Sequence, residues 1–280
     1  MGMAEKTIQN LSQSSLQDFV DCPRRFELRY LKKLNYPAAQ TEPILENEKH
    51  MQEGAQFHRL VHEHLLGMPV EKLHLLANTP KLRRWFENYL NADLRLADYT
   101  LHPEFTLSAP LGNLRLVAKY DLVAVQKNEG MRGASQVIIL DWKTYRRRPR
   151  DEWLATRLQT RVYRSLLVQS GAYLNEGVPF KPEQLEMIYW FADFPNEPAR
   201  FKYDATLFNR DWETLAKLTE EIVSAAEYPK TEELIRCSYC PFRSYCERGS
   251  QAGAYEALES EMEAEELFDI HFEQIGEIAF

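Results

Sequence analysis

Apolar residues recur along this chain at two different spacings, and the places where the spacing changes mark out its elements. Behind Ser12, Ser14 and Ser15, the run LQDFVDC sets Leu16, Phe19 and Val20 at helical spacing. This predicts a capped helix from there toward Leu31, with Cys22 on or beside it. Residues 45–66 repeat the pattern through Gly54, Phe57, His58, Leu60, Val61 and Leu65, and residues 71–97 continue as Leu- and Arg-rich helix. From about residue 101 the period shortens. HPEFTLSAP, NLRLVAKYDLVAV and SQVIILDWKT are β-branched or alternating runs separated by Pro, Gly and Asn, and they predict three neighbouring strands. Residues 151–170 return to helical spacing through Leu154, Leu158, Val162, Leu166 and Leu167, which places a helix against that sheet. A strand is expected at Leu185 to Phe191, a short edge strand at Phe201 to Tyr203 and a helix over Arg210 to Ala226.

The partition that follows is a helical region over 1–100, a mixed core over 101–230, a cysteine loop over 231–250 and an acidic tail over 251–280. With 280 residues, 44% of them hydrophobic, the chain is long enough to bury a substantial core. The net charge of -8 argues against a nucleic-acid partner until its distribution is considered. Residues 251–280 hold nine acids and no Lys or Arg, so residues 1–250 carry 34 basic against 33 acidic side chains, a net of +1. A near-neutral body can present a basic groove. In the tail, residues 254–268 are expected to be a surface helix. No stretch approaches the roughly 20 apolar residues of a membrane span, and the N-terminal MGMAEKTIQNLSQ lacks a basic and apolar leader. The expectation is a soluble, cytoplasmic protein without a membrane partner. No G-x-x-x-x-G-K-[ST] loop is present, so the sequence carries no P-loop motor signature.

All four cysteines fit a single centre. Cys22 stands near the start, and Cys237, Cys240 and Cys246 follow as C-x2-C-x5-C more than 200 residues later. Three thiols within ten residues, on a segment rich in Pro, Tyr and Arg, are poorly placed for ordinary core packing. Zinc and iron-sulfur clusters both accept four thiolates, and spacing alone does not separate them; free or disulfide-paired thiols are the remaining alternative.

A second constellation carries hydrolytic chemistry. The strand SQVIILDWKT ends in Asp141-Trp142-Lys143, where alternation turns a carboxylate and an ammonium to the same side. Asp121 ends LRLVAKYD in a comparable place, and His58 follows a glycine on its helix. One imidazole and two carboxylates suit a hard divalent ion such as Mg2+ or Mn2+, beside which Lys143 can orient water or stabilise negative charge. Arg146, Arg147, Arg148 and Arg150 follow the strand, and Arg157, Arg161 and Arg164 lie on the next helix, forming a candidate phosphate-binding rim. Arg24 and Arg25 beside Cys22 could add to it.

Taken in order, His58, Asp121 in Lys-Tyr-Asp-Leu-Val, Asp141-Trp142-Lys143-Thr144 and Gln159-x-x-x-Tyr163 resemble the motifs of PD-(D/E)XK nucleases of the RecB type. LSQSSLQDFVDCPRRF and CSYCPFRSYC are similar to the ends of that family's iron-sulfur branch, which includes AddB nuclease domains and CRISPR-associated RecB-like exonucleases. The resemblance spans roughly residues 11–248. It implies an α/β restriction-endonuclease-like core: a mixed central sheet flanked by helices, an N-terminal helical insertion, and a cysteine-ligated cluster joining the two ends. It implies that His58, Asp121 and Asp141 ligate Mg2+ or Mn2+, with the Trp142 carbonyl a further candidate ligand and Glu104 an additional acid. Lys143 would position the attacking water, and Gln159 and Tyr163 would face DNA together with Arg146, Arg147, Arg157 and Arg161. Cys22, Cys237, Cys240 and Cys246 would hold a 4Fe-4S cluster. Ala118 stands where such proteins often have Gly before the second acid. The implied activity is metal-dependent exonucleolytic cleavage of single-stranded DNA or DNA ends in repair, recombination or mobile-element defence, with a helicase or a repair or defence protein as partner. The competing readings are a non-catalytic DNA-binding scaffold that keeps the nuclease fold, and a redox or zinc sensor built on the cysteines. Intact His58, Asp121, Asp141 and Lys143 favour the enzyme.

Overall fold

The computed structural model describes residues 8–34, 42–127, 133–237 and 240–249. Along the chain these form β1 (Asn10–Leu11), α1 (Gln13–Asp21), α2 (Pro23–Phe26), α3 (Glu42–Leu65), α4 (Val70–Leu76), α5 (Pro80–Leu90), β2 (Tyr99–Leu111), β3 (Leu114–Lys127), β4 (Ala134–Lys143), α6 (Asp151–Thr156), α7 (Leu158–Ser170), β5 (Leu185–Phe191), β6 (Phe194–Lys202) and α8 (Ala205–Ser224). The expected tail helix lies outside the described residues.

The strands make one mixed sheet in the order β1-β3-β4-β5-β6, with β2 paired to β3. β3 and β4 are antiparallel, β4 and β5 parallel, and β5 and β6 antiparallel. The parallel step needs a crossover, and α6 and α7 supply it. This is the α/β arrangement, a central mixed sheet flanked by helices, that the sequence leads one to expect.

The chain divides into two compact units, each discontinuous in sequence and cutting across the linear partition at residues 100 and 230. The first comprises Met1–Lys49, Pro110–Leu116 and Thr214–Phe280, and the second His50–Ala109 and Val117–Glu213. In the second unit, Phe57, Trp85 and Phe86 from the helices pack with Leu122, Leu140, Trp142, Ile188 and Trp190 from the sheet. α7 meets the other face of β4 and β5, where Thr160 Oγ1 lies 2.7 Å from the Tyr189 hydroxyl. In the first unit, Leu28, Cys240, Phe242 and Cys246 form a small core, and Phe26 stacks on Tyr228 with ring centroids 6.0 Å apart.

Several boundaries differ from expectation for local reasons. The first helix stops at Asp21 because Cys22 takes extended backbone (φ -163, ψ 102), and Pro23 then starts α2 at a position where its missing N–H costs nothing. Ser12 and Ser15 cap α1 reciprocally. The expected helix over 71–97 is two helices parted at Ala77, and Thr79 caps the second through Leu82 N. The expected helix over 151–170 is parted at Arg157, which is extended at ψ 146. The short edge strand is longer than expected and begins at Phe194.

Candidate active site

The site lies within the second unit, at the end of the β3–β4 ladder. Cross-strand pairing there runs up to Leu122 opposite Leu140. One residue further, the Asp121 carboxylate takes over as acceptor, receiving the Trp142 backbone N–H at 2.8 Å. Its other oxygen lies 3.3 Å from His58 Nδ1 on α3. β4 alternates so that Trp142 enters the core while Asp141 and Lys143 turn to the opposite face. Lys143 Nζ lies 2.9 Å from Asp141 Oδ2. Gln159 on α7 closes the arrangement, donating to Asp141 Oδ1 at 2.8 Å and accepting from Lys143 Nζ at 2.9 Å. The Ala192 N–H, donated to the Lys143 carbonyl at 2.8 Å, fixes the end of the strand.

Burial and neighbouring charge set the protonation states together. Burial pushes the Asp141 carboxyl up, and with Asp121 close by, Lys143 offsets this only partly, leaving it at about 6. Burial alone would raise Asp121 too, but His58, the Trp142 N–H and Lys143 hold it below the ordinary carboxylate value. Burial opposes charge on His58, yet Asp121 beside it and Asp141 farther off raise its pKa. Burial likewise opposes the Lys143 ammonium, but Asp141 together with Tyr145 and Tyr189 outweighs that and raises its pKa. Lys143 is therefore a cation at neutral pH. It serves as a hydrogen-bond donor and not as a base.

His58, Asp121, Asp141, Lys143 and Gln159 are thus brought together. Other expected site residues are placed differently. Glu104 is ion-paired with Lys119. Tyr163 is 1% exposed: its hydroxyl donates to the Lys119 carbonyl at 2.8 Å and its carbonyl accepts from the Tyr120 hydroxyl at 2.9 Å. Gln159 is buried as well, so these two side chains serve the interior in this conformation, and the idea that both face DNA needs that correction. The basic rim is also uneven. Arg146 and Arg147 are exposed, whereas Arg157 is buried over the Trp153 ring at 4.4 Å. Arg164 is buried on Asp211 at 3.0 Å, with Arg161 3.9 Å from the same carboxylate. Sequence reasoning missed Tyr189, whose ring lies 5.3 Å from Lys143 Nζ. Tyr189 is directly opposite Asp141 in the β4–β5 register, so a correct strand alignment would have found it.

His58 with two carboxylates is an imidazole and oxygen donor set of the kind that suits a hard divalent ion. The four cysteines all belong to the first unit as free thiols. Burial raises the Cys240 thiol to about 11, with Cys22 and Cys237 adding to the effect and Arg25 opposing it. Burial also raises Cys237, which feels Cys22 and Cys246. The thiols therefore share a neighbourhood. Among the described residues, however, no group of three or more His, Cys, Asp or Glu is gathered as a metal cage, neither at the four cysteines nor at His58, Asp121 and Asp141. Among those residues, too, no helix is long and apolar enough to cross a membrane.

A model of the PD-(D/E)XK nuclease superfamily matches residues 10–247. Among solved structures, an Eubacterium rectale protein described as a candidate exonuclease is similar over 94% of this chain and 100% of its own, at 9% identity and a TM-score of 0.51. The crystal structure of SSO0001 matches over 88% of each chain, at 12% identity and a TM-score of 0.40. No match to a curated protein was found.

Proposed function

Because this chain belongs to the PD-(D/E)XK nuclease superfamily, we propose that it is a metal-dependent DNA nuclease, an exonuclease that hydrolyses phosphodiester bonds in single strands or at DNA ends. The observation that carries the reading is the closed set of Asp141, Lys143 and Gln159 beside the His58–Asp121 pair. A buried carboxylate pushed to about 6 beside a lysine is the kind of perturbed group that active sites collect.

His58, Asp121 and Asp141 would hold Mg2+ or Mn2+, which supplies Lewis-acid polarisation of the phosphoryl oxygens. In hydrolysis the water oxygen bonds to phosphorus, the bond to the leaving nucleotide oxygen breaks, and the water proton is passed to solvent or to that oxygen. The Lys143 ammonium orients the water and opposes the negative charge that develops on the phosphoryl group. Gln159 braces the Lys143–Asp141 ion pair by hydrogen-bonding both partners. The exposed Arg146 and Arg147 would meet the DNA backbone. The four cysteines would form a structural four-thiolate centre, iron-sulfur by the family resemblance, supported by their shared neighbourhood in the first unit. A helicase or another repair or defence protein would supply any unwinding.

The test is an assay of anaerobically purified protein on end-labelled single- and double-stranded DNA with Mg2+ or Mn2+. Asp141→Ala and Lys143→Ala should each abolish metal-dependent cleavage while leaving a folded protein. Wild-type cleavage rates in both variants would sink the proposal, and DNA binding without cleavage by the wild type would favour the scaffold.

A further inference from the structure

Three elements converge on the ammonium at the end of β4. Asp141 on the same strand lies 2.9 Å from Lys143 Nζ, and Gln159 on α7 accepts from it at 2.9 Å. An ammonium has three N–H donors, so these two partners leave one for the reacting water. Aromatic rings supply the rest of the surroundings. The Tyr189 ring centre lies 5.3 Å from Nζ and the Tyr145 ring centre 5.7 Å, both within the roughly 6 Å over which a ring face attracts a cation. With 13% of the Lys143 side chain exposed, water screens that attraction poorly. β5 anchors both rings. The Tyr189 hydroxyl is 2.7 Å from Thr160 Oγ1, and Phe201 meets the Tyr189 ring edge-on at 6.1 Å. Tyr145 leans on Phe191 with ring centroids 6.2 Å apart, and Phe191 is the β5 residue opposite Lys143. The strand pairing that sets Tyr189 opposite Asp141 thus also sets the support for Tyr145 opposite Lys143. Asp141 is an insecure partner for the ammonium, because a divalent ion on that carboxylate would compete with Lys143 and repel it. Neutral rings attract the ammonium in either case.

We propose that Tyr145 is a positioning residue for hydrolysis: with Tyr189 it forms an aromatic cage that keeps the Lys143 ammonium aimed at the attacking water. The inference rests on the nuclease reading and extends its machinery to two residues that act through Lys143. Tyr189 is fully buried, and truncating it would open a hole in the core. Tyr145 is only partly buried, so its ring can be changed without that cost.

Two measurements test it. In steady-state cleavage of a labelled single strand, Tyr145→Leu should lower kcat about tenfold and leave KM unchanged. Tyr145→Phe keeps the ring and should restore most of that loss. Mono-, di- and trifluorinated phenylalanine at position 145 drain electron density from the ring face at nearly constant shape, and kcat should fall stepwise along the series. The second measurement needs no cleavage. In the proton–nitrogen correlation spectrum of the protein in a chelator, the Lys143 ammonium, assigned through Lys143→Arg, should be protected from solvent exchange in the wild type and in Tyr145→Phe. Its signal should be lost to exchange in Tyr145→Leu. Wild-type kcat in Tyr145→Leu, or a flat fluorinated series, would overturn the cage. A raised KM with unchanged kcat would also overturn it and make Tyr145 a stacking platform for a base. A wild type that cleaves no DNA would defeat the nuclease reading, and the spectrum would then decide the cage alone: a Lys143 signal indifferent to Tyr145→Leu would overturn it.

Discussion

Gln159 shows how much a single neutral side chain decides at this site. It is the only described side chain that hydrogen-bonds both Asp141 and Lys143, and it is buried, so water cannot readily take its place. Its amide donates to one partner and accepts from the other. Leu at this position would fill the space but leave two charged groups short of a hydrogen bond, at a cost of roughly 1–3 kcal/mol for each group left unsatisfied. Gln159→Leu should therefore lower kcat by about ten- to a hundredfold with little change in KM, because the lost interaction orients the reacting groups and does not bind DNA. Steady-state kinetics on a labelled strand checks this. A raised KM with unchanged kcat would return Gln159 to the DNA-facing role that the sequence suggested. Its spacing four residues before Tyr163 was legible in the chain, but the direction of the two side chains was not. That direction depends on how α7 is rotated over β4 and β5, and helical periodicity alone does not fix it.

Among the elements, α3 and β4 position the site jointly, and their closest approach runs through Gly54. A Cβ there would sit 2.9 Å from Thr144 Oγ1, one residue beyond Lys143 and one helical turn before His58. Gly54→Ala should strengthen the isolated helix by up to about 1 kcal/mol yet push α3 away from the end of β4. His58 would then move relative to Asp121, and cleavage should fall about tenfold or more. Adding Thr144→Ala removes the obstructing oxygen and should restore most of the activity. A double variant no better than Gly54→Ala alone, measured as kcat at saturating metal, would show that close approach is not what the glycine provides. The strands that carry the acids were readable because alternation and β-branched runs are strong local signals, and β5 starts and stops where the sequence puts it. β6 was largely missed because Pro195 and Pro198 lower its strand signal. As the terminal strand of the sheet path, it tolerates prolines that an interior strand would not. The breaks at Ala77 and Arg157 were invisible for the opposite reason: apolar spacing continues across them, and only the backbone angles reveal the interruption.

At the scale of the whole molecule, the first unit gathers both ends of the described chain. Arg236 reaches Asp21 at 2.7 Å, Arg25 bonds Asp18 and Asp21 at 2.7 and 2.6 Å, and Lys230 donates to the Cys246 carbonyl at 2.9 Å. Of these, the Arg236–Asp21 ion pair joins residues 215 apart in sequence, and the cysteine spacing is no guide to it. Closing so long a loop is entropically costly, and each doubling of length adds only about 0.6 kcal/mol. A clasp here therefore contributes through the one large closure and little through its exact length. A four-thiolate centre would reinforce that clasp, and it would also overcome the burial that keeps Cys240 protonated, since thiolates are what a metal binds. Anaerobically purified protein should accordingly be brown with bound iron and sulfide. Stripping the metal, or making Cys22→Ser, should lower Tm by more than the roughly 2–4 °C that an ordinary 1 kcal/mol contact is worth at this size. Colourless protein carrying stoichiometric zinc would replace iron with zinc and keep the clasp. Metal-free protein whose Tm is unchanged by Cys22→Ser would leave the Asp–Arg network to hold the ends alone.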